Sequence, residues 1–155
     1  MADNSAVLLG PGSSGYSGYS GAAGSAGSSF PQVVYGDEVD FLGSPTDVTY
    51  NVTASNHGWI EEAGWVVTEF DMDGGSLSDQ PFVRFGITGD TDKYLAAEQT
   101  TLLTAQYKRE RYVTMLADDG ETSFTAGMTV AASVSGGGTP VYKGKPFWVI
   151  RELAD

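Results

Sequence analysis

The sequence predicts an all-β body of the β-sandwich or jelly-roll type, preceded by an extended glycine-rich N-terminal arm. From Val33 onward, apolar residues alternate with polar ones at the period of two that strands show. Turn segments rich in Gly and Asp separate the alternating runs, as in sandwiches and barrels. Before them, glycine recurs at every third position. We therefore divide the chain into an arm, residues 1–32, and a β-sandwich domain, residues 33–155.

The arm contains the stretch GSSGYSGYSGAAGSAGSS, in which glycine stands at every third position. This period is typical of collagen, where only glycine fits at the axis on which three chains meet. The segment has no proline inside the repeat, so by itself it would not form a triple helix. A flexible linker is the alternative, but the strict period favours an ordered extended arm. The arm residues expected to contact neighbouring chains are Gly12, Gly15, Tyr16, Gly18, Tyr19, Gly21, Gly24 and Gly27.

Six alternating runs of the body predict strands in chain order: DVTYNVTA, GWVVTEFDM, PFVRFGI, RYVTMLA, MTVAASV and PFWVIREL. Each run places its apolar residues on one face or divides them between two. The predicted shared faces are Val48, Tyr50 and Val52; Trp65 and Val67, against Val66, Phe70 and Met72; Val83, Phe85 and Ile87; Tyr112, Thr114 and Leu116; Met128, Val130, Ala132 and Val134; and Phe147, Val149 and Leu153, against Trp148 and Ile150.

The stretch from Tyr94 to Arg111 does not follow this pattern. Its first part, LAAEQ, contains residues that favour helices, while β-branched residues follow. We expect one short helical turn there, or a long loop that covers the body.

Composition restricts the partners. The formal net charge is −12, which disfavours binding to nucleic-acid phosphates and to anionic membranes. The chain has no cysteine, so disulfides and thiolate metal sites are absent. We recognise no leader peptide, and no apolar run approaches the ~20 residues that span a bilayer. We expect neither a cofactor nor a metal ion.

Residues that could carry chemistry are few, and we expect no enzyme. The single histidine, His57, cannot form a zinc site alone, and we expect it to be a polar turn residue. Carboxylates cluster in three turns, where calcium binding and Asx-turns are the alternatives, and solvated turns without metal are expected. These carboxylates are Asp71, Asp73 and Asp79; Asp90 and Asp92; and Asp118, Asp119 and Glu121.

Two groups of residues suggest contacts with other chains. The segment YKRER, Tyr107 to Arg111, holds three of the eight basic residues, and we expect a solvated turn there; contact with an acidic partner or an acidic patch on another copy is the alternative. We expect Trp65 in the core and Tyr16 and Tyr19 packed against a neighbouring chain. A sugar-binding platform of exposed aromatic rings is the alternative.

The segment GYSGYSGAAGSAG resembles the collagen-like tracts of bacteriophage virion proteins. GWVVTEFDMDGGSLSDQPFVRFGITGDTDKYLA and FTAGMTVAASVSGGGTPVYKGKPFWVIREL resemble the β-sandwich domains of phage head-decoration (cement) and fibre proteins. The resemblance implies a structural virion protein without catalytic residues. It implies a trimeric capsid decoration protein, bound to the major capsid protein and to other copies on the capsid exterior. A tail-fibre or adhesin component that binds host-surface glycans is the alternative.

Overall fold

The computed structural model describes residues 31–52, 57–99, 105–114 and 121–153, and this part of the chain is all-β, as predicted. It contains no helix long and apolar enough to cross a membrane. Residues 1–30 of the arm, with its eight predicted contact residues, lie outside the described residues, while Gln32 is the first residue of β1. The strands are β1 (Gln32–Tyr35), β2 (Val39–Asp40), β3 (Asp47–Asn51), β4 (His57–Asp71), β5 (Ser76–Asp79), β6 (Phe82–Ile87), β7 (Asp90–Gln99), β8 (Arg109–Thr114), β9 (Ser123–Val130), β10 (Ser133–Ser135) and β11 (Val141–Leu153).

The strands form two larger antiparallel sheets and one strand pair. The five-stranded sheet has the order β1-β11-β4-β8, with β2 also paired to β11. The four-stranded sheet has the order β3-β9-β6-β7, and β10 pairs with β5. Successive parts of the chain pass back and forth between the two larger sheets, so neighbours in a sheet are mostly distant in sequence. The edges of the five-stranded sheet are β1 and β2 on one side and β8 on the other.

The core contains residues from both larger sheets. The Trp65 ring of β4 lies 6.3 Å from the Phe85 ring of β6, and the Tyr50 ring of β3 stacks on Trp148 of β11 at 6.0 Å. Each fully buried large apolar side chain stabilises the fold by roughly 1.5–3 kcal/mol. The largest fully buried side chains are Trp65, Trp148, Tyr142, Phe41, Phe85, Phe124, Phe147, Met128, Ile150, Val67 and Val83.

Two of the predicted strand faces are confirmed in part. Val48 and Val52 are buried together, as are Val83 and Phe85. The expected continuous face from Met128 to Val134 is wrong. Met128 is buried, but β9 ends at Val130, which is 50% exposed, because the chain leaves the sheet there.

The two predicted faces of β4 are also wrong beyond Val67. Trp65 and Val67 point into the core as a pair, but Phe70 packs against the same core instead of lying on the opposite side. The pairing with β11 shifts by one residue at this point, because Val67 lies opposite Gly144 and Glu69 lies opposite Lys143. The extra residue of this bulge reverses the side on which later residues of β4 lie.

The described parts of the stretch from Tyr94 to Arg111, residues 94–99 and 105–111, are mostly strand, and neither a helical turn nor a long covering loop occurs in them. Residues up to Gln99 belong to β7, and β8 begins at Arg109. Leu95 lies opposite Phe85 of β6 and packs against the core. Pairing with β6 therefore overrides the weak helix preference of LAAEQ.

Candidate interaction surface

The outward side of the five-stranded sheet is the surface with the most distinctive chemistry. Along β11, Tyr142, Gly144, Pro146, Trp148 and Ile150 are buried. The residues between them point away from the core, because successive strand side chains lie on opposite faces. Three of these outward residues are apolar and three are basic; they are Val141, Lys143, Lys145, Phe147, Val149 and Arg151. We call this side of the sheet the outer face.

Phe147 is an aromatic residue of the outer face that is nevertheless fully buried. The Arg109 guanidinium lies 3.6 Å from the centre of its ring, and the Tyr35 ring lies 6.5 Å away on the other side. Arg109 reaches it across β4, where Gly64, opposite Phe147, has no side chain to intervene. A cation over an aromatic face contributes about 0.5–1 kcal/mol at a partly exposed site.

Ion pairs tie the outer face together. Arg111 Nη1 lies 2.9 Å from Glu62 Oε1, and Lys143 Nζ lies 2.9 Å from Glu69 Oε2. The hydrogen bond and charge of Glu69 raise the pKa of Lys143 above its ordinary value. All these groups are partly exposed to solvent, so the pairs stabilise the fold only weakly.

Basic residues are concentrated on this sheet. Of the eight in the chain, only Arg84 and Lys93 belong to the four-stranded sheet. The other six lie on β11, on β8 or immediately before β8; they are Lys108, Arg109, Arg111, Lys143, Lys145 and Arg151. In a chain of net charge −12, this sheet therefore holds most of the basic residues, and Glu61, Glu62 and Glu69 of β4 pair with four of them.

The two edges of the five-stranded sheet differ in charge. At the β8 edge lie Tyr107, Lys108, Arg109 and Arg111, which we call the basic edge. At the β1 and β2 edge lie Val33, Tyr35, Asp37, Glu38 and Asp40, which we call the acidic edge. The acidic edge has no basic residue of its own, since the first in the sequence is Arg84. Asp37 and Glu38 are both exposed.

Tyr107 is unusual among the residues of the basic edge. Its side chain is 77% exposed, and its backbone has φ 64, in the left-handed region that disfavours residues with a Cβ. The turn is held in place because Tyr107 N–H donates to the Val67 carbonyl at 2.8 Å. Tyr107 thus combines an unfavourable backbone conformation with an aromatic ring exposed to solvent.

The structure assigns several of the predicted candidate residues to structural positions. His57 is the first residue of β4 and not part of a turn, because the strand extends back to it through pairing with Leu153. Asp71 Oδ1 accepts the N–H of Asp73 at 2.8 Å, which is the Asx-turn that had been one alternative. The Asp73 carboxylate accepts the N–H of Thr139 at 2.7 Å.

The remaining carboxylates are dispersed. Glu121 pairs with Lys93 at 2.6 Å, and Asp79 accepts a hydrogen bond from Ser133 at 3.1 Å. Asp90 and Asp92 are exposed, while Asp118 and Asp119 lie outside the described residues. Within the described ranges, no group of three or more histidine, cysteine or carboxylate side chains is placed to hold a metal ion.

The segment YKRER contains the four residues of the basic edge together with Glu110. Trp65 is fully buried, as expected. Sequence reasoning missed Phe147 and Tyr35 as partners on the outer face, since their contact depends on β1 and β11 being neighbours. The available signal was that β1, QVVY, is apolar and uncharged.

The chain was compared with known proteins. No protein-family model and no curated protein matches it. A solved structure described as the cyanophage Pam1 capsid asymmetric unit is similar, with a TM-score of 0.45 and 13% sequence identity. The similarity covers 86% of this chain and 92% of the other.

Proposed function

We propose that this chain is a bacteriophage capsid decoration (cement) protein that binds the outside of the head and stabilises the shell without catalysis. The observation that carries the proposal is the strand order. When β2 and the β5–β10 pair are left out and the other eight strands are numbered in chain order, the two larger sheets read 1-8-3-6 and 2-7-4-5, which we interpret as a jelly roll. Double-sheet jelly rolls are frequent in viral capsid proteins and in lectins.

The arm adds support for a role in a particle. Glycine allows a backbone to lie close against other chains, and a segment of this length reaches beyond the body. The resemblance of GYSGYSGAAGSAG to collagen-like virion tracts supports the same role. In this proposal the arm contacts the major capsid protein and other copies, the protein acts as a trimer, and several weak contacts per trimer act together.

The proposal is tested on particles of the phage that encodes the chain, prepared with and without the protein. We expect undecorated particles to release their genome at a lower temperature, and added protein to restore the higher release temperature. A His57→Ala variant, changed at a residue with no proposed role, is the matched control. Equal release temperatures with and without the protein would contradict the proposal.

A tail-fibre or adhesin role is the second candidate, and the exposed Tyr107 ring favours it. Lectins bind sugars on exposed aromatic rings, and the ring is 77% exposed. Binding of the protein to a glycan array, lost in Tyr107→Ala, would support this role. Attachment of the protein to the head in labelled particles would support decoration instead.

A further inference from the structure

We propose that a second copy of this chain docks on the five-stranded sheet, with the basic edge of one copy against the acidic edge of the next. This inference rests on the proposed function, from which the expectation of a trimer comes. It adds to that function the two surfaces through which the copies contact each other. The two edges belong to one sheet and are separated by about 14 Å, three strand spacings, so they cannot neutralise each other within one copy.

The charges of the two edges lie at the same level along the strands. Gly36 N–H donates to the Pro146 carbonyl, and Val39 lies opposite Gly144, so Asp37 and Glu38 fall beside Lys145 of β11. The row of Lys145 continues through Val66 of β4 to Arg109 of β8. A copy placed alongside without a shift along the strands therefore brings the two carboxylates to the basic edge.

Strand directions also match. Neighbouring strands on the path β1-β11-β4-β8 are all antiparallel, so β1 and β8 run in opposite directions. When copies are related by rotation about an axis along the strands, β8 of one copy runs antiparallel to β1 of the next. Among the described residues, neither strand has a partner on its outer side. The backbone is thus compatible with the same side-by-side placement that the charges favour.

The contact has apolar and unpaired groups to bury. The Tyr107 ring is 77% exposed on one edge, while Val33 and Tyr35 are 49% and 52% exposed on the other. Lys108 has no ion-pair partner among the described residues. Tyrosine side chains and charged side chains that lack a partner in the free protein often contribute much of the binding energy of an interface. Strand β1 also lacks the charged side chains that usually protect an exposed edge.

The surface at one edge differs from the surface at the other, so the contact is heterologous. Such contacts form closed rings when the rotation closes, and filaments when it does not. A ring of three copies gives every copy two contacts and leaves no edge exposed. The proposed trimer is such a ring.

Sedimentation velocity of the full chain tests the contact directly. We expect a micromolar solution of the protein to sediment as a trimer. Lys108→Glu and Glu38→Lys place like charges at the contact, and each should raise the dissociation constant about tenfold or more. The double variant Lys108→Glu/Glu38→Lys reverses the pair and should restore the trimer. Lys93→Glu and Asp90→Lys make the same charge changes on β7 of the four-stranded sheet, away from the two edges, and they should leave association unchanged.

Engineered cysteines provide a second measurement, because the chain has none of its own. In Glu38→Cys/Lys108→Cys the two thiols are too far apart to join within one copy, so oxidation should link copies and stop at a trimer. Asp90→Cys/Lys108→Cys is the control and should remain monomeric on a denaturing gel. A monomeric wild-type protein, an unrestored double variant or equal cross-linking in both pairs would overturn this contact. If the wild-type protein forms the trimer but does not bind phage particles, the proposed function is contradicted and the contact between copies is not.

Discussion

Replacing Gly64 with alanine tests the packing of the outer face most directly. A Cβ at this position would overlap the Glu110 carbonyl oxygen and would lie 2.8 Å from Phe147 Cζ and 2.9 Å from Arg111 Cα. Two of these contacts are with the backbone of β8, which cannot rotate away as a side chain could. The substitution therefore forces β8 away from β4, or tilts the Phe147 ring from beneath Arg109.

The expected loss of stability follows from three contributions. Overpacking of a rigid site costs about 1–3 kcal/mol, and loss of the Arg109 contact with Phe147 costs about 0.5–1 kcal/mol. Alanine restricts the unfolded chain more than glycine and offsets about 0.5–1 kcal/mol. We expect a net destabilisation of about 2 kcal/mol, which corresponds to a decrease in Tm of roughly 6–10 °C for a body of this size.

The measurement is thermal unfolding followed by circular dichroism, with Gly43→Ala as the control. A Cβ at Gly43 would meet the Asp40 carbonyl oxygen at 3.3 Å and no closer atom, so this change should cost under about 0.5 kcal/mol. If the two variants unfold at the same temperature, the close approach of β4 and β8 at Gly64 is not as described.

Three further predictions concern a turn, a buried phenol and the arm. Tyr107→Asn should increase the free energy of unfolding by about 1 kcal/mol at submicromolar protein concentration, because asparagine tolerates the left-handed backbone better than tyrosine. A lower free energy of unfolding, measured by chemical denaturation, would contradict this expectation. Burial raises the pKa of Tyr142 above its ordinary value of 10.0, with a smaller effect of Glu110. The neutral phenol of Tyr142 therefore stabilises the fold fully below about pH 10, and this stabilisation is lost as the pH rises further. By about pH 11 the free energy of unfolding of the wild type, measured by denaturant titration, should fall by about 1 kcal/mol more than that of Tyr142→Phe. Deleting residues 1–30 removes no member of the described core, so it should leave Tm within a few degrees but abolish particle binding; full binding by pelleting would show that the arm is dispensable.

Much of the fold could be predicted from alternation, but not the points where strands shift register. Val48 and Val52 followed the period of two, and so did Val83 and Phe85, since all four side chains are buried in the core. Phe70 did not, since the bulge before it is set by pairing with a strand more than 70 residues later. Local sequence carries no record of such a partner.

The candidate surface was predicted only in part. The basic segment YKRER was visible because its charges are consecutive. Its acidic counterpart was not, since Asp37 and Glu38 become an edge only through the placement of β1 and β2 beside β11. The burial of Phe147 beneath Arg109 likewise depends on the strand order and on a glycine in the strand between them.

The position of β1 has a mechanical consequence. Any tension carried by the residues before it enters the body through a four-residue strand held on β11. Gln32, where the force would arrive, lies opposite Ile150, and the hydrogen bonds between antiparallel strands run across the strand direction. A pull away from the sheet would open them one after another. Of the four residues only Val34 packs against the core, so β1 could peel away and return while the rest of the body stays folded, and would serve as a reversible force-limiting joint.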